Sequence, residues 1–292
     1  MDWIFLSLLA AFGQALGWAI KKRTLENLGI NNTLGFVSYA IASIVLYTML
    51  IVSGDAPLTL TVKFWWATSG IIVLNVIALW TAYQALDKAA LSTLMPYMAL
   101  TALLIVPIEF VLRGILPSFE QIIGMSVVTV GAIIFARNQA LKPGWMRTAK
   151  YFGTTLLCYS ITSPLMGIAV SESGSGLFSA LIAHIGIAIG FIPMLLIAKE
   201  THVLKGFREA GTLPYVLGLM VLAGLVTAFF ENGPATVALE TGSASEVFAL
   251  KRVMPFFALV LGIMMFREHV GRRHIVGTLL LVSGSFLIVW FR

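Results

Sequence analysis

Residues 238–289 read ALETGSASEVFALKRVMPFFALVLGIMMFREHVGRRHIVGTLLLVSGSFLIV. Two uncharged runs, 253–266 and 274–291, begin inside this stretch. A helix needs about 20 mainly apolar residues to cross the hydrocarbon of a bilayer. The second run comes within that range. The first reaches it only if its helix starts earlier and carries charge inside. Ser243-Ala-Ser-Glu246 has the capping-box pattern, which predicts a helix start at Ser243 with Glu246 at the third position. At 1.5 Å per residue, Lys251 then lies roughly 12 Å inside that helix. A cation near the bilayer centre costs about 2.5–3.5 kcal/mol on insertion scales, so it faces a cavity or a partner. Lys251 and Arg252 are therefore candidates to hold a carboxylate or phosphate. The alternatives are an internal ion pair with Glu231, Glu240 or Glu246, or a lysine stretching to the interface. Successive helix positions point about 100° apart, so the two cations are not expected to face one cavity equally.

Outward from this stretch the same pattern fills the chain. Of 292 residues 59% are apolar and 11% charged, against roughly 25% charged in an ordinary soluble domain. Mean hydropathy is +0.95. Too few charges remain to cover a soluble surface, which excludes a cytosolic enzyme. The uncharged runs predict an all-α polytopic membrane protein with ten crossings, about 3–20, 33–53, 64–86, 89–112 and 119–137, then 151–170, 177–198, 212–230, 243–266 and 274–291. Residues 1–142 hold the first five and 143–292 the second. Asp2 precedes the first crossing where a signal peptide would be basic, and Lys21-Lys22-Arg23 follows it, so it reads as a retained span. Cys158 stands alone, which leaves no disulfide or Cys-based metal site within the chain.

Basic residues set the expected orientation. Fourteen follow odd-numbered crossings, and three (Lys63, Arg113 and Arg292) follow even-numbered ones. This bias predicts that both termini lie outside the cytoplasm of a multi-pass protein of the inner (plasma) membrane. It also accounts for the net charge of +6 without nucleic acid. The expected partners are a small-molecule solute and the lipid bilayer, with the chain a monomer or homodimer and no cofactor or metal. A membrane enzyme would show a cluster such as Asp-rich metal motifs. Here Asp2, Asp55 and Asp87 all fall outside the crossings, and of His184, His202, His269 and His274 only His184 lies well inside one. A channel would need rings of charge or carbonyls around a pore.

Residues 82–131 and 235–284 align without gaps at an offset of 153. Ala85-Leu86-Asp87 meets Ala238-Leu239-Glu240, and Ser92, Ile122, Gly124 and Gly131 meet Ser245, Ile275, Gly277 and Gly284. A competing local register at 159 pairs Pro96 with Pro255 and Glu109 with Glu268. Both registers pair crossings three to five with eight to ten. An odd number of crossings per half makes the second half enter from the opposite side. Inverted repeats of this kind place a substrate site near the midplane between the halves.

The quoted stretch resembles the last two helices of the drug/metabolite transporter superfamily in its ten-helix EamA-type form. The motif residues are Ala238-Leu239, Pro255, Phe266 with Glu268, and Gly277 with Gly284. In the first half, Ala102 and Ile115 stand where the proline and glutamate of the pattern would be. The resemblance implies a secondary transporter of a small metabolite, amino-acid-like or anionic, that exports or exchanges it by alternating access. A Lys-Arg pair on this helix also occurs in the phosphate- and nucleotide-sugar-carrying relatives, where it holds the anionic substrate. A sugar-phosphate or nucleotide-sugar type antiporter is thus the alternative reading.

Other polar and aromatic residues inside the crossings could line a cavity: Gln14, Trp18, Tyr39, Asn75, Trp80, Tyr83, Tyr97, Thr101, Tyr159, Ser160 and Ser163. Interhelical hydrogen bonds or aromatic belts would explain any one of them as well. His184 is a candidate proton carrier because imidazole titrates near working pH. Glu109 and Glu268 close crossings four and nine, each with an arginine four residues on (Arg113 and Arg272), which suits an ion pair at a helix end or a coupling role. Gly13-x-x-x-Gly17 and Gly186-x-x-x-Gly190 would let helices approach closely, and Pro96, Pro107, Pro164, Pro193 and Pro255 would kink theirs.

Overall fold

A computed structural model describes all residues except 1–2, 29, 56, 58–59, 115–117, 137–144, 199, 201–204, 206–207, 210, 269–270 and 291–292. The regular structure among them is helical. In chain order it comprises α1 (Trp3–Leu28), α2 (Asn31–Ser53), α3 (Val62–Leu86), α4 (Leu91–Leu94), a 3-10 segment (Met95–Leu100), α5 (Thr101–Arg113), α6 (Phe119–Ala136), α7 (Trp145–Ser173) and α8 (Gly176–Ala198). Then come α9 (Leu213–Val226), a π-helical turn (Thr227–Asn232), α10 (Gly233–Ala238), α11 (Ala244–Lys251), α12 (Met254–Phe266) and α13 (Arg272–Trp290). Seven helical segments are long and apolar enough to cross a membrane, and Ile122–Ile134 and Ile275–Leu287 are shorter apolar helices. The fourth expected crossing, 89–112, is broken by its 3-10 segment. Large apolar side chains such as Ile51, Val52, Trp66, Leu196 and Ile197 are exposed on the bundle's outside, as a lipid-facing surface requires.

Local chemistry fixes the helix ends. Ser243 and Glu246 make the expected capping box, with Ser243 N–H donating to Glu246 Oε2 at 3.0 Å and Glu246 N–H to Ser243 Oγ at 3.3 Å. Pro255 has no N–H to continue a helix through residue 252, so α11 ends at Lys251 and the chain turns at Arg252–Val253. Pro96 stands in the 3-10 segment, whereas Pro107, Pro164 and Pro193 are carried inside continuous helices. Glu200 anchors the start of α2, where its carboxylate accepts from the N–H groups of Asn32 and Thr33 and from both of their side chains, at 2.7–3.0 Å. At the opposite end of that helix pair, Asp55 accepts from Ser175 Oγ at 2.6 Å beside the start of α8. Asp55 follows the end of α2 and Glu200 the end of α8, so each helix of the pair has its start held by a carboxylate from the other's end.

The helices pair as α2 with α8, α3 with α7, and α6 with α13, while α1 lies against the α9–π–α10 segment and α12. Three helix pairs correspond at a separation of 153 residues. Helix α4 starts at 91, α5 spans 101–113 and α6 starts at 119; α11 starts at 244, α12 spans 254–266 and α13 starts at 272. Gly114 and Arg267, which end α5 and α12, are both left-handed, at φ +69° and +53°. At the α6–α13 contact, Gly131 abuts the Gly277 carbonyl and Leu281 N, while Gly284 abuts the Gly124 carbonyl and Val128 N. A Cβ on either glycine would sit within 3.0 Å of the facing backbone.

Two sequence expectations change. Helix α1 runs on to Leu28, so Lys21 and Lys22 sit on a helix and are buried, rather than in a loop. Lys22 Nζ donates to the Ala89 carbonyl at 2.8 Å, and Lys21 Nζ lies over the rings of Trp18 and Tyr39. The eighth crossing does not stop at Glu231. It passes through that residue as a π-turn and continues to Ala238. Pro234 cannot donate to the Phe230 carbonyl, which is the local reason for the widened turn. That carbonyl meets Gly13 of α1, where any Cβ would clash, and Gly17 one turn on faces Glu231. Gly186 and Gly190 face Ile72 and Val76 of α3 in the same way.

Candidate functional site

A cavity lies at the centre of the bundle, lined from α1, α2, α3, the 3-10 segment, α7, α8, the π-turn, α10 and α11. Its charged lining is Lys251, Arg252 and Glu231. The helix break explains how two adjacent cations reach one cavity. The 100° spacing of a continuous helix does not apply, because Arg252, at φ −75° and ψ 1°, is already outside α11. Lys251 also ends that helix, where the partial negative charge of the exposed carbonyls favours a cation.

The ion-pair alternative is not realised in this geometry. Among the described residues Lys251 and Arg252 are 3% and 2% exposed, and neither has a hydrogen bond to an acceptor side chain or an ion pair within 4 Å. Arg252 Nε is a buried donor with no acceptor. Lys251 Nζ lies 5.5 Å from the centroid of the Phe248 ring. Glu240 instead accepts from Gly176 N–H at 2.7 Å at the start of α8, and Glu246 is held in its capping box. Two buried cations with unused donors are an arrangement that a carboxylate or phosphate would complete.

Of the other residues singled out from sequence, Gln14, Tyr39, Asn75, Tyr159, Ser163 and His184 line the cavity. Gln14 Oε1 is buried without a donor. Asn75 and Ser163 spend one bond each on their own helices, Asn75 Nδ2 to Ile71 O at 2.9 Å and Ser163 Oγ to Tyr159 O at 2.7 Å. His184 is held at both nitrogens, Nδ1 against the Ala180 carbonyl at 2.7 Å and Nε2 against Asn232 Nδ2 at 3.0 Å. Its ring stacks on Tyr39 with centroids 5.1 Å apart. Held at both nitrogens and stacked on Tyr39, His184 is a fixed wall residue of the cavity.

The remaining candidates lie elsewhere. Trp18 and Tyr83 pack edge to face, 6.2 Å between centroids, beneath the cavity. Trp80 packs on Tyr151, and Tyr97 sits at the edge of the main apolar core. Thr101 Oγ1 and Ser160 Oγ bond the Met98 and Leu156 carbonyls. Glu109 is buried in α5, and the Arg113 side chain proposed to pair with it lies outside the described residues. Glu268 and Arg272 do not share a helix, because α12 ends at Phe266 and α13 begins at Arg272. Glu268 Oε1 accepts instead from Leu91 N–H at 3.0 Å. It lines a second cleft of about 900 Å³ at the far end of α1, with Lys22, Arg23, Asp87, Lys88 and Arg267. Sequence reasoning did not assign Asn232, Thr236 or Thr162 to the cavity, and it weighed Glu231 only as an ion-pair partner.

This is the interior of a helical membrane bundle whose charged cavity is built from both halves of the chain. Residues 150–290 match the model of the EamA-like transporter family. The match lies in the second half of the chain and includes the helix break that carries Lys251 and Arg252. No curated protein matches the chain. A crystal structure of a protein superposes on it with a TM-score of 0.60 and 12% sequence identity, covering 98% of this chain and 96% of that one. At that identity the likeness concerns the fold alone.

Proposed function

We propose that this protein is a secondary transporter of a small anionic or amino-acid-like metabolite, working as an exporter or exchanger by alternating access between two inverted five-crossing halves. The observation that carries the reading is the pair Lys251 and Arg252, buried in a central cavity with donors that no group among the described residues accepts. Such cations face a pathway or a ligand when they occur at membrane depth. The inverted repeat is supported by the helix boundaries spaced 153 residues apart and by the α6–α13 contact. There Gly131 meets the partner position of Gly124, and Gly284 meets Gly124 itself. A contact that exchanges equivalent positions is what a twofold relation between two like surfaces produces.

A thermal-shift screen of the purified protein against amino acids, organic acids, sugar phosphates and nucleotide sugars tests the reading, since a ligand raises apparent stability by mass action. With a hit in hand, Lys251→Met removes a charge-assisted hydrogen bond worth roughly 1.5–3 kcal/mol, a loss of roughly 10- to 150-fold in affinity. Because no carboxylate among the described residues lies within 4 Å of Lys251, the variant should melt close to the parent. Arg252→Met should weaken binding in the same way, since both side chains reach the cavity. Normal affinity in both variants would remove the anion site. A collapse of stability in Lys251→Met would restore the internal ion pair.

A further inference from the structure

The polar lining of the cavity does not end at its floor. Gln14, Trp18 and Lys21 follow one another on α1 at helical spacing, so they share a face, and that face packs on the π-turn. Along this seam Gln14 Oε1, Trp18 Nε1 and Thr227 Oγ1 are all buried with no partner among the described residues. Lys21 is 2% exposed, and its ammonium lies over the rings of Trp18 and Tyr39, 5.3 and 5.5 Å from their centroids. Glu231 stands at the junction. It lines the cavity on one side and faces Gly17 of α1 on the other, 3.6 Å from where a Cβ would sit. Among the described residues its carboxylate has no hydrogen bond and no ion pair within 4 Å.

An unpaired carboxylate at this depth is costly. A row of unsatisfied polar atoms beside it is where bound water belongs. π-Turns inside α-helices concentrate at functional positions. We propose that Glu231 is a proton-binding site in the transport path, taking its proton from cavity water and returning it to water along the Trp18–Lys21 seam. The groups that face it are Lys21 from α1, Tyr39 from α2, Tyr83 from α3, Tyr159 from α7, His184 from α8, Lys251 from α11 and Arg252 just after it. When ionised, Glu231 competes with an anion for the field of Lys251 and Arg252. When protonated, it does not. Anion binding therefore strengthens as pH falls, by at most tenfold per pH unit for one linked proton. This linkage rests on the anion-site reading above; the proton site itself does not.

Infrared difference titration of the full-length protein in lipid nanodiscs reads the carboxylic-acid carbonyl band directly. The wild type should show a band that disappears as pH rises. Glu231→Gln should lack it, and Lys21→Met should keep it to higher pH because a stabilising cation is gone. A band unchanged in Glu231→Gln, or none in the wild type, overturns the proton site. The linkage is read from the melting-temperature shift caused by sulfate, an anion whose charge is constant over this range. The shift should grow toward acid pH in the wild type and become independent of pH in Glu231→Gln. An equal pH dependence in both proteins overturns the linkage. No sulfate shift at any pH, with the infrared band present, counts against the anion site and upholds Glu231 as the proton site.

Discussion

Arg267 shows how much of this molecule is written at single residues. It ends α12 in the left-handed region, at φ +53°, where its equivalent 153 residues earlier is Gly114 at φ +69°. A side chain there meets its own backbone, at a cost of roughly 1–2 kcal/mol that glycine does not bear. Arg267→Gly should therefore stabilise the protein by about 1 kcal/mol and raise the melting temperature by a few degrees. An unchanged or lower melting temperature would mean that the guanidinium contributes more in the second cleft than the backbone strain costs. Lys251 was legible at this scale because a cation eight residues inside a capped apolar helix has few explanations. Glu231 was not. Reading crossings as uncharged runs ends the eighth at that residue, and nothing in the composition says that a Gly-Pro pair will widen the helix and carry it past the charge.

At the scale of elements, the offset of 153 was readable from a few identities, and the helix boundaries now follow the same register. The competing register at 159 would pair the two prolines, but α5 and α12 start and stop 153 apart. The discontinuities themselves were harder to read. Pro96 and Pro255 were expected to kink their helices, yet one gives a 3-10 segment and the other a full break. Packing around each proline decides between these outcomes, and that packing lies in other helices. The α6–α13 contact is where small residues do most. Gly131→Ala and Gly284→Ala each place a methyl group within 3.0 Å of facing backbone. Each should destabilise the protein by about 1–3 kcal/mol, the range for overpacking, and by similar amounts, since the two positions are equivalent. Thermal melts of both variants in detergent micelles check this. A large loss in one and none in the other would break the equivalence.

At the scale of the whole molecule, composition alone gave a membrane bundle, and the distribution of basic residues gave a direction. The structure removes part of that support, because Lys21 and Lys22 are buried helix residues rather than loop charges. Even without those two, the loops after odd crossings hold most of the remaining basic residues. The bias still predicts that 199–208 faces the cytoplasm and that the turn before α3 faces outward. Lys63 and Lys205 are exposed at opposite ends of this scheme, with side chains 76% and 74% accessible. Single cysteines at these two positions, in a background where the buried Cys158 is alanine, therefore report orientation directly. On intact cells a membrane-impermeant maleimide should label Lys63→Cys and leave Lys205→Cys untouched until the cells are permeabilised. The reverse pattern would place both termini in the cytoplasm. It would also turn the second cleft, with Arg23, Lys88 and Arg267, toward the outside, so that the basic end of the bundle meets solute arriving from there.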